Sequence, residues 1–179
     1  MNFLNKSLKL TVAVISFFVI PGCSCDKKDV SMAPETTAVA APKLMVVNVA
    51  DVDTYGECHI KGSSQLDFEG VEAAFKNIPH DTAIVTYCAN YQCTASGAVA
   101  QMLQEMGFTN VKAFEGGIAQ WYQKGYPIEG TCVTRKGDVS SYLTAENIKG
   151  PDGDEGVTEI SIGDLKNEMV RAAHRCAPL

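Results

Sequence analysis

The sequence predicts an α/β domain over residues 44–130, with a central, mainly parallel sheet flanked by helices in three layers. Three observations predict it. The runs Leu44–Ala50 and Ala83–Tyr87 are β-rich and almost continuously apolar, as strands buried on both faces should be. A third candidate strand, Asn110–Phe114, follows at a distance that leaves room for a helix. Between the runs lie patterns of helical period, and strands alternating with helices build parallel sheets with crossover connections.

Residues 1–22 are set aside first. Lys6 and Lys9 form a short basic region, and the apolar run Leu10–Ile20 is about eleven residues long. A mature membrane-spanning helix needs roughly 20, whereas a signal-peptide core has the shorter length. The run ends in Ile20-Pro21-Gly22-Cys23, which resembles the lipobox of bacterial lipoproteins, with Cys25 a poorer second candidate. Cys23 is therefore the expected lipidation site, carrying palmitate-type acyl chains that would anchor the chain in a membrane leaflet. Ser24 after it resembles the pattern of lipoproteins sent to the outer membrane, so the expected location is the cell envelope, facing the periplasm. Residues 23–43, rich in Ala, Thr and Pro without apolar periodicity, read as a flexible tether.

The composition, 46% hydrophobic and 20% charged, is that of a globular chain and excludes a fibrous one. Net charge is -6, and removing the leader with its two lysines leaves -8. Nucleic acid is disfavoured as a partner, because phosphates call for a basic face.

Within the domain, Phe68–Phe75 predicts a short helix that ends near Pro79. Ala95, Ala98, Val99, Met102, Leu103 and Met106 form one helical stripe, and Gly107 supplies the stop. Ile118–Tyr122 predicts another helix, closed by Gly125 and Pro127. The strand Ala83–Tyr87 runs into Cys88-Ala89-Asn90-Tyr91-Gln92-Cys93-Thr94, and the striped helix starts at once. Parallel sheets place active sites at the carboxyl ends of their strands. A loop there aims backbone N–H groups and a helix dipole at its bowl. Cys88 is thus expected to be activated as a thiolate. Thr94 is expected to cap the helix through its hydroxyl.

Four segments resemble the rhodanese family in order and spacing. They are Tyr55-Gly56-Glu57-Cys58-His59-Ile60-Lys61-Gly62-Ser63, Ile84–Cys88, Gly107–Val111, and Glu115-Gly116-Gly117-Ile118-Ala119-Gln120-Trp121 with Gly125-Tyr126-Pro127. The resemblance implies a rhodanese-like sulfurtransferase or persulfide carrier. In it Cys88 would take sulfur from a small sulfane-sulfur donor or a protein persulfide. The amides of Ala89, Asn90, Tyr91, Gln92 and Thr94 would cradle the adduct, and a thiol acceptor would remove the sulfur. It implies no cofactor and no metal.

The chain departs from the family in several places. No basic side chain lies in the loop, so thiosulfate is an uncertain donor, and a phosphatase-like loop ending in Arg is absent. Where the family's first strand reads Asp-Val-Arg, this one reads Asn48-Val49-Ala50. Cys58 replaces a glycine and is either packing or a further redox thiol. His59 reads as a structural hydrogen-bonding residue. Cys93 is either a small buried residue or a resolving thiol for Cys88, which leaves thiol–disulfide redox chemistry as an alternative function. A catalytically silent binding module is another. Zinc held by Cys58, His59, Cys88 and Cys93 fits poorly, since the chain has no Cys-x-x-Cys pair.

Residues 131–179 form a C-terminal extension outside the resemblance. Ile162–Ala173 predicts a helix, and Gly150–Gly156 lacks the spaced ligands of a calcium loop. With Cys23 lipidated, six cysteines remain, and Cys132–Cys176 is the expected structural disulfide.

Overall fold

Four short parallel strands organise the structure, a computed structural model that describes residues 44–135, 137–150 and 156–175. The expectations for the leader, Cys23, Cys25 and the tether lie outside the described residues, as do Cys176 and residues 151–155. The strands are β1 (Met45–Asn48), β3 (Ser64–Gln65), β4 (Ile84–Tyr87) and β5 (Val111–Phe114), in the spatial order β3-β1-β4-β5. A separate antiparallel pair joins β2 (His59–Ile60) to β6 (Ile128–Glu129).

Side-chain alternation divides the core in two. Val47, Ile84, Val111 and Ala113 face α2 (Val71–Phe75) and α3 (Ala95–Glu105). Val46, Val85, Tyr87 and Phe114 face α4 (Gly117–Gln123), α5 (Ser141–Thr144) and α6 (Ile162–Arg175). The three-layer α/β arrangement expected from the sequence is therefore the one observed. Each face is covered because a parallel sheet cannot leave either apolar side in water.

The elements differ in detail from the sequence expectations. The helix α1 (Val52–Glu57) was not anticipated; Asp51 starts it by accepting the N–H groups of Asp53 and Thr54 at 3.0 and 2.9 Å. The segment Phe68–Phe75 is a 3-10 turn (Phe68–Gly70) leading into α2. In α3 the buried stripe is rotated from the expected one. Ser96, Gly97, Val99, Ala100 and Leu103 are buried, whereas Ala98 is exposed. Small residues let the helix sit close to β4, where the Thr86 hydroxyl donates to the Ser96 carbonyl at 2.8 Å.

The extension packs into the same core. Leu143, Ile160 and Leu165 are buried in the α4 face. The Ala113 N–H donates to the Thr158 carbonyl and the Ile160 N–H to the Ala113 carbonyl, so residues 158–160 pair along the outer edge of β5. Lys112, pointing to the same face from β5, meets Glu168 of α6 at 2.7 Å.

The expected Cys132–Cys176 disulfide is corrected: Cys132 is bonded to Cys58, with Cα atoms 5.4 Å apart. The physical reason is strand register. Pairing of His59 with Glu129 carries Cys58 to the start of the 3-10 turn Thr131–Val133, and both sulfurs are buried there. Cys58 is thus neither inert packing nor a free redox thiol. The bond closes a sequence separation of 74 residues. On a chain-entropy estimate such a loop contributes roughly 4 kcal/mol. The double variant Cys58→Ser with Cys132→Ser should lose about that much in non-reducing urea unfolding. A non-reducing peptide map should join Cys58 to Cys132; a Cys132–Cys176 peptide in its place would overturn the pairing.

Candidate active site: the Cys88 loop

Cys88 leaves the carboxyl end of β4. Strand alternation turns its side chain to the α3 face, along with Ile84 and Thr86, and it is only 3% exposed. The loop then curves through Ala89–Thr94 into α3. Two backbone bonds hold its start: the Cys88 carbonyl accepts the Ile118 N–H at 3.0 Å, and the Ala89 carbonyl accepts the Ala119 N–H at 2.9 Å.

That crossing explains Gly117. Gly117 has φ +60, and a Cβ there would lie 2.5 Å from the Cys88 carbonyl oxygen and 2.6 Å from the Ala89 carbonyl carbon. Only glycine supplies both the left-handed backbone and the empty space. The first turn of α4 thereby spends its unpaired N–H groups on the loop's carbonyls.

The bend of the loop is set by Asn90. Its side-chain carbonyl accepts the Gln92 N–H at 3.0 Å, and its backbone carbonyl accepts the Cys93 N–H at 3.1 Å. Cys93 is brought to Cys88, and the two are joined as a disulfide with Cα atoms 6.2 Å apart. Of the roles left open for Cys93, a small buried residue without a partner is therefore not the one observed.

Asn147 of the extension clamps the loop from outside. Its Oδ1 accepts the Tyr91 N–H at 3.1 Å, and its Nδ2 donates to the Gly116 carbonyl at 2.8 Å. Gln120 of α4 adds a bond from Nε2 to the Tyr91 hydroxyl at 3.2 Å. In this disulfide-bonded form the amides of Tyr91, Gln92 and Cys93 are thus engaged within the protein. Thr94 departs from expectation. It holds the N-cap position of α3, but its backbone is already helical and its hydroxyl makes no cap bond.

The neighbouring residues support the strand end. Tyr87 is fully buried, and burial pushes its phenol up to about 12, so it stays neutral. Its hydroxyl accepts the Ile60 N–H at 3.1 Å and lies 2.7 Å from the Ser63 hydroxyl. Asn48, in the place of the family's aspartate, accepts the Ala50 N–H at 2.8 Å. Its buried Nδ2 has no partner among the described residues. His59 takes the structural role expected of it. Its Nδ1 lies 2.8 Å from the Tyr55 carbonyl, and its ring stacks on Tyr55 at 3.9 Å. The set Cys58, His59, Cys88 and Cys93 does not assemble, because its cysteines belong to two separate disulfides.

Sequence reasoning located Cys88 and Cys93 but missed Asn147 and the crossing at Gly117. Asn147 is 56 positions from the residue it clamps and carries no local pattern that marks it.

A parallel α/β domain with a cysteine at the strand-to-helix junction defines a class of thiol-bearing loop proteins. The comparisons give the family. The rhodanese-like domain matches residues 36–124. The thiosulfate sulfurtransferase GlpE of Pseudomonas entomophila is 31% identical over 99 residues, covering 55% of this chain and 88% of that protein. GlpE of Pseudomonas fluorescens is 32% identical over 85 residues, covering 48% of this chain and 75% of that one. A crystal structure of a Bacillus halodurans protein is 31% identical, with a TM-score of 0.46 over 50% of this chain and 66% of that chain. The rhodanese-like domain of the Alr3790 protein of Anabaena is 29% identical, with a TM-score of 0.44 over 49% of this chain and 82% of that one. The chain belongs to the rhodanese-like sulfurtransferase family.

The clamp makes a direct prediction. Asn147→Ala removes two hydrogen bonds and should cost about 1–3 kcal/mol. Hydrogen exchange at the Tyr91 amide should speed up accordingly. An unchanged Tyr91 exchange rate would show that the extension does not hold the loop.

Proposed function

We propose that this protein is an envelope-anchored sulfurtransferase whose Cys88 carries sulfane sulfur as a persulfide. The placement of Cys88 carries the reading: a buried cysteine directly follows β4, and a six-residue loop leads from it into the eleven-residue helix α3. The GlpE relatives, named as thiosulfate sulfurtransferases, support it. In the reduced protein Cys88 reacts as its thiolate, the nucleophilic form of a thiol. The thiolate attacks the outer sulfur of a persulfide donor, the donor's S–S bond breaks, and its thiol leaves. Cys88 then holds one extra sulfur. An acceptor thiolate attacks that sulfur and restores Cys88.

Donor choice follows from charge. Cys88–Thr94 contains no ionisable side chain other than the cysteines and Tyr91. A thiosulfate dianion would find no cation in the loop, and a missing charge-assisted bond of ~1.5–3 kcal/mol is worth about tenfold to a hundredfold in rate. A small organic persulfide or a protein-borne persulfide is the favoured donor.

Intact mass measurement of the Cys93→Ser variant after reduction and exposure to glutathione persulfide should find one added sulfur, mapped to Cys88. Cys88→Ser should take up none, and thiosulfate should load Cys93→Ser at least about tenfold more slowly. Equal loading of Cys88→Ser would sink the assignment.

The anchor is tested separately. In a bacterial host, the wild type should sediment with membranes and incorporate labelled palmitate. Cys23→Ser should lose the label and move to the soluble fraction; a palmitate-labelled Cys23→Ser protein would refute lipidation at that residue.

A further inference from the structure

We infer that Cys93 is a resolving thiol that discharges the Cys88 persulfide, releasing hydrosulfide and leaving the Cys88–Cys93 disulfide. The protein would then be a sulfane-sulfur reductase as well as a carrier. This inference rests on the sulfur-transfer reading above and adds a second activity to it.

The geometry comes from groups that do not include the sulfurs. Both ends of the loop are held independently of the disulfide. Ile118 and Ala119 fix the carbonyls of Cys88 and Ala89, while Asn90 and Asn147 fix the amides of Tyr91, Gln92 and Cys93. Opening the S–S bond therefore leaves Cys93 beside Cys88. Their Cα separation of 6.2 Å is within the range a disulfide tolerates. A nucleophile held this way acts at high effective concentration.

The Cys93 thiolate attacks Cys88 Sγ, and the bond from that atom to the outer sulfur breaks. The outer sulfur leaves as hydrosulfide with the bonding electron pair. The sulfane sulfur is reduced by two electrons and the two cysteines are oxidised to a disulfide; the proton that Cys93 gives up is taken by the departing sulfur, so a persulfide anion and a thiol yield a disulfide and HS−. Resetting requires an external dithiol reductant. Burial decides which sulfur it meets, since Cys88 is 3% exposed and Cys93 is partly exposed. The dithiol would attack Cys93 and expel Cys88 as the leaving thiolate, the form ready for the next donor. Attack at the accessible sulfur with the more stable thiolate leaving is the faster direction of exchange.

The absence of a basic side chain in the loop fits this cycle. A loop with a fixed cation would retain the hydrosulfide anion, and the seven residues from Cys88 to Thr94 carry none.

The test uses full-length protein, reduced, freed of reductant and given one equivalent of glutathione persulfide. The wild type should lose two hydrogens, yield a Cys88–Cys93 peptide, and release one hydrosulfide per chain. Cys93→Ser should keep the added sulfur on Cys88 and release at least about tenfold less hydrosulfide. Cys93→Ala serves where the serine variant misfolds. Stable, equal retention of sulfur by wild type and variant would overturn the resolving role and leave the transfer reading standing. Failure of every form to take up sulfur would overturn both.

Discussion

The active loop depends on a backbone crossing. The carbonyls of Cys88 and Ala89 pass directly over Gly117, and a single methyl group at that position would lie 2.5 Å from one of them. Because the chains touch, the first N–H groups of α4 bond the loop and not solvent. Cys88 is thus pinned on one side by the parallel pairing of β4 with β1 and β5, and on the other by α4. A thiol held at both ends gains no freedom when its sulfur changes partner. These contacts fix the backbone of Cys88 without help from its sulfur.

The extension reinforces the same arrangement from the far edge. β5 would otherwise present an unpaired edge, and residues 158–160 cover it. The Lys112–Glu168 pair and the buried Leu165 then seat α6 beneath the sheet. Lys149 joins Glu159 and also reaches Glu115 at 3.4 Å, drawing the chain across the head of α4. That path delivers Asn147 to the loop. The tail is therefore coupled to the sulfur site by a continuous series of contacts, and its contribution to the site is positional.

Much of this was legible in the sequence because its signals are local. Apolar runs gave three strands within a residue or two, and Gly107 ended α3 with the positive φ that only glycine adopts readily. Cys88 could be placed because a strand end, a short polar loop and a helix start follow one another without interruption. Three features were not legible, for one physical reason. The Cys58–Cys132 bond, the Asn147 clamp and the strand-like pairing of residues 158–160 are made by partners dozens of residues apart. Their residue types are ordinary, and only the β2–β6 register or the β5 edge brings them together. The rotation of α3 has a different origin. Helical periodicity counts apolar residues, whereas close packing on a sheet selects small ones, so Ser96 and Gly97 turned inward and Ala98 outward.

The two disulfides differ in what they can contribute to the fold. On a chain-entropy estimate, closing a separation of 74 residues stabilises by roughly 4 kcal/mol, and closing one of 5 by roughly 2. Cys58 and Cys132 are both deeply buried, tie a strand to a turn, and are shielded from exchange. The Cys88–Cys93 loop is already bent by Asn90 and clamped by Asn147, so its disulfide restrains a segment that is restrained without it. Its stabilising effect is correspondingly small, and one of its two residues, Cys93, is partly exposed. Stability accounts for the long-range bond. It accounts for little of the short one, which ties the buried Cys88 at the end of β4 to a partly exposed Cys93 in a loop already held by Asn90 and Asn147.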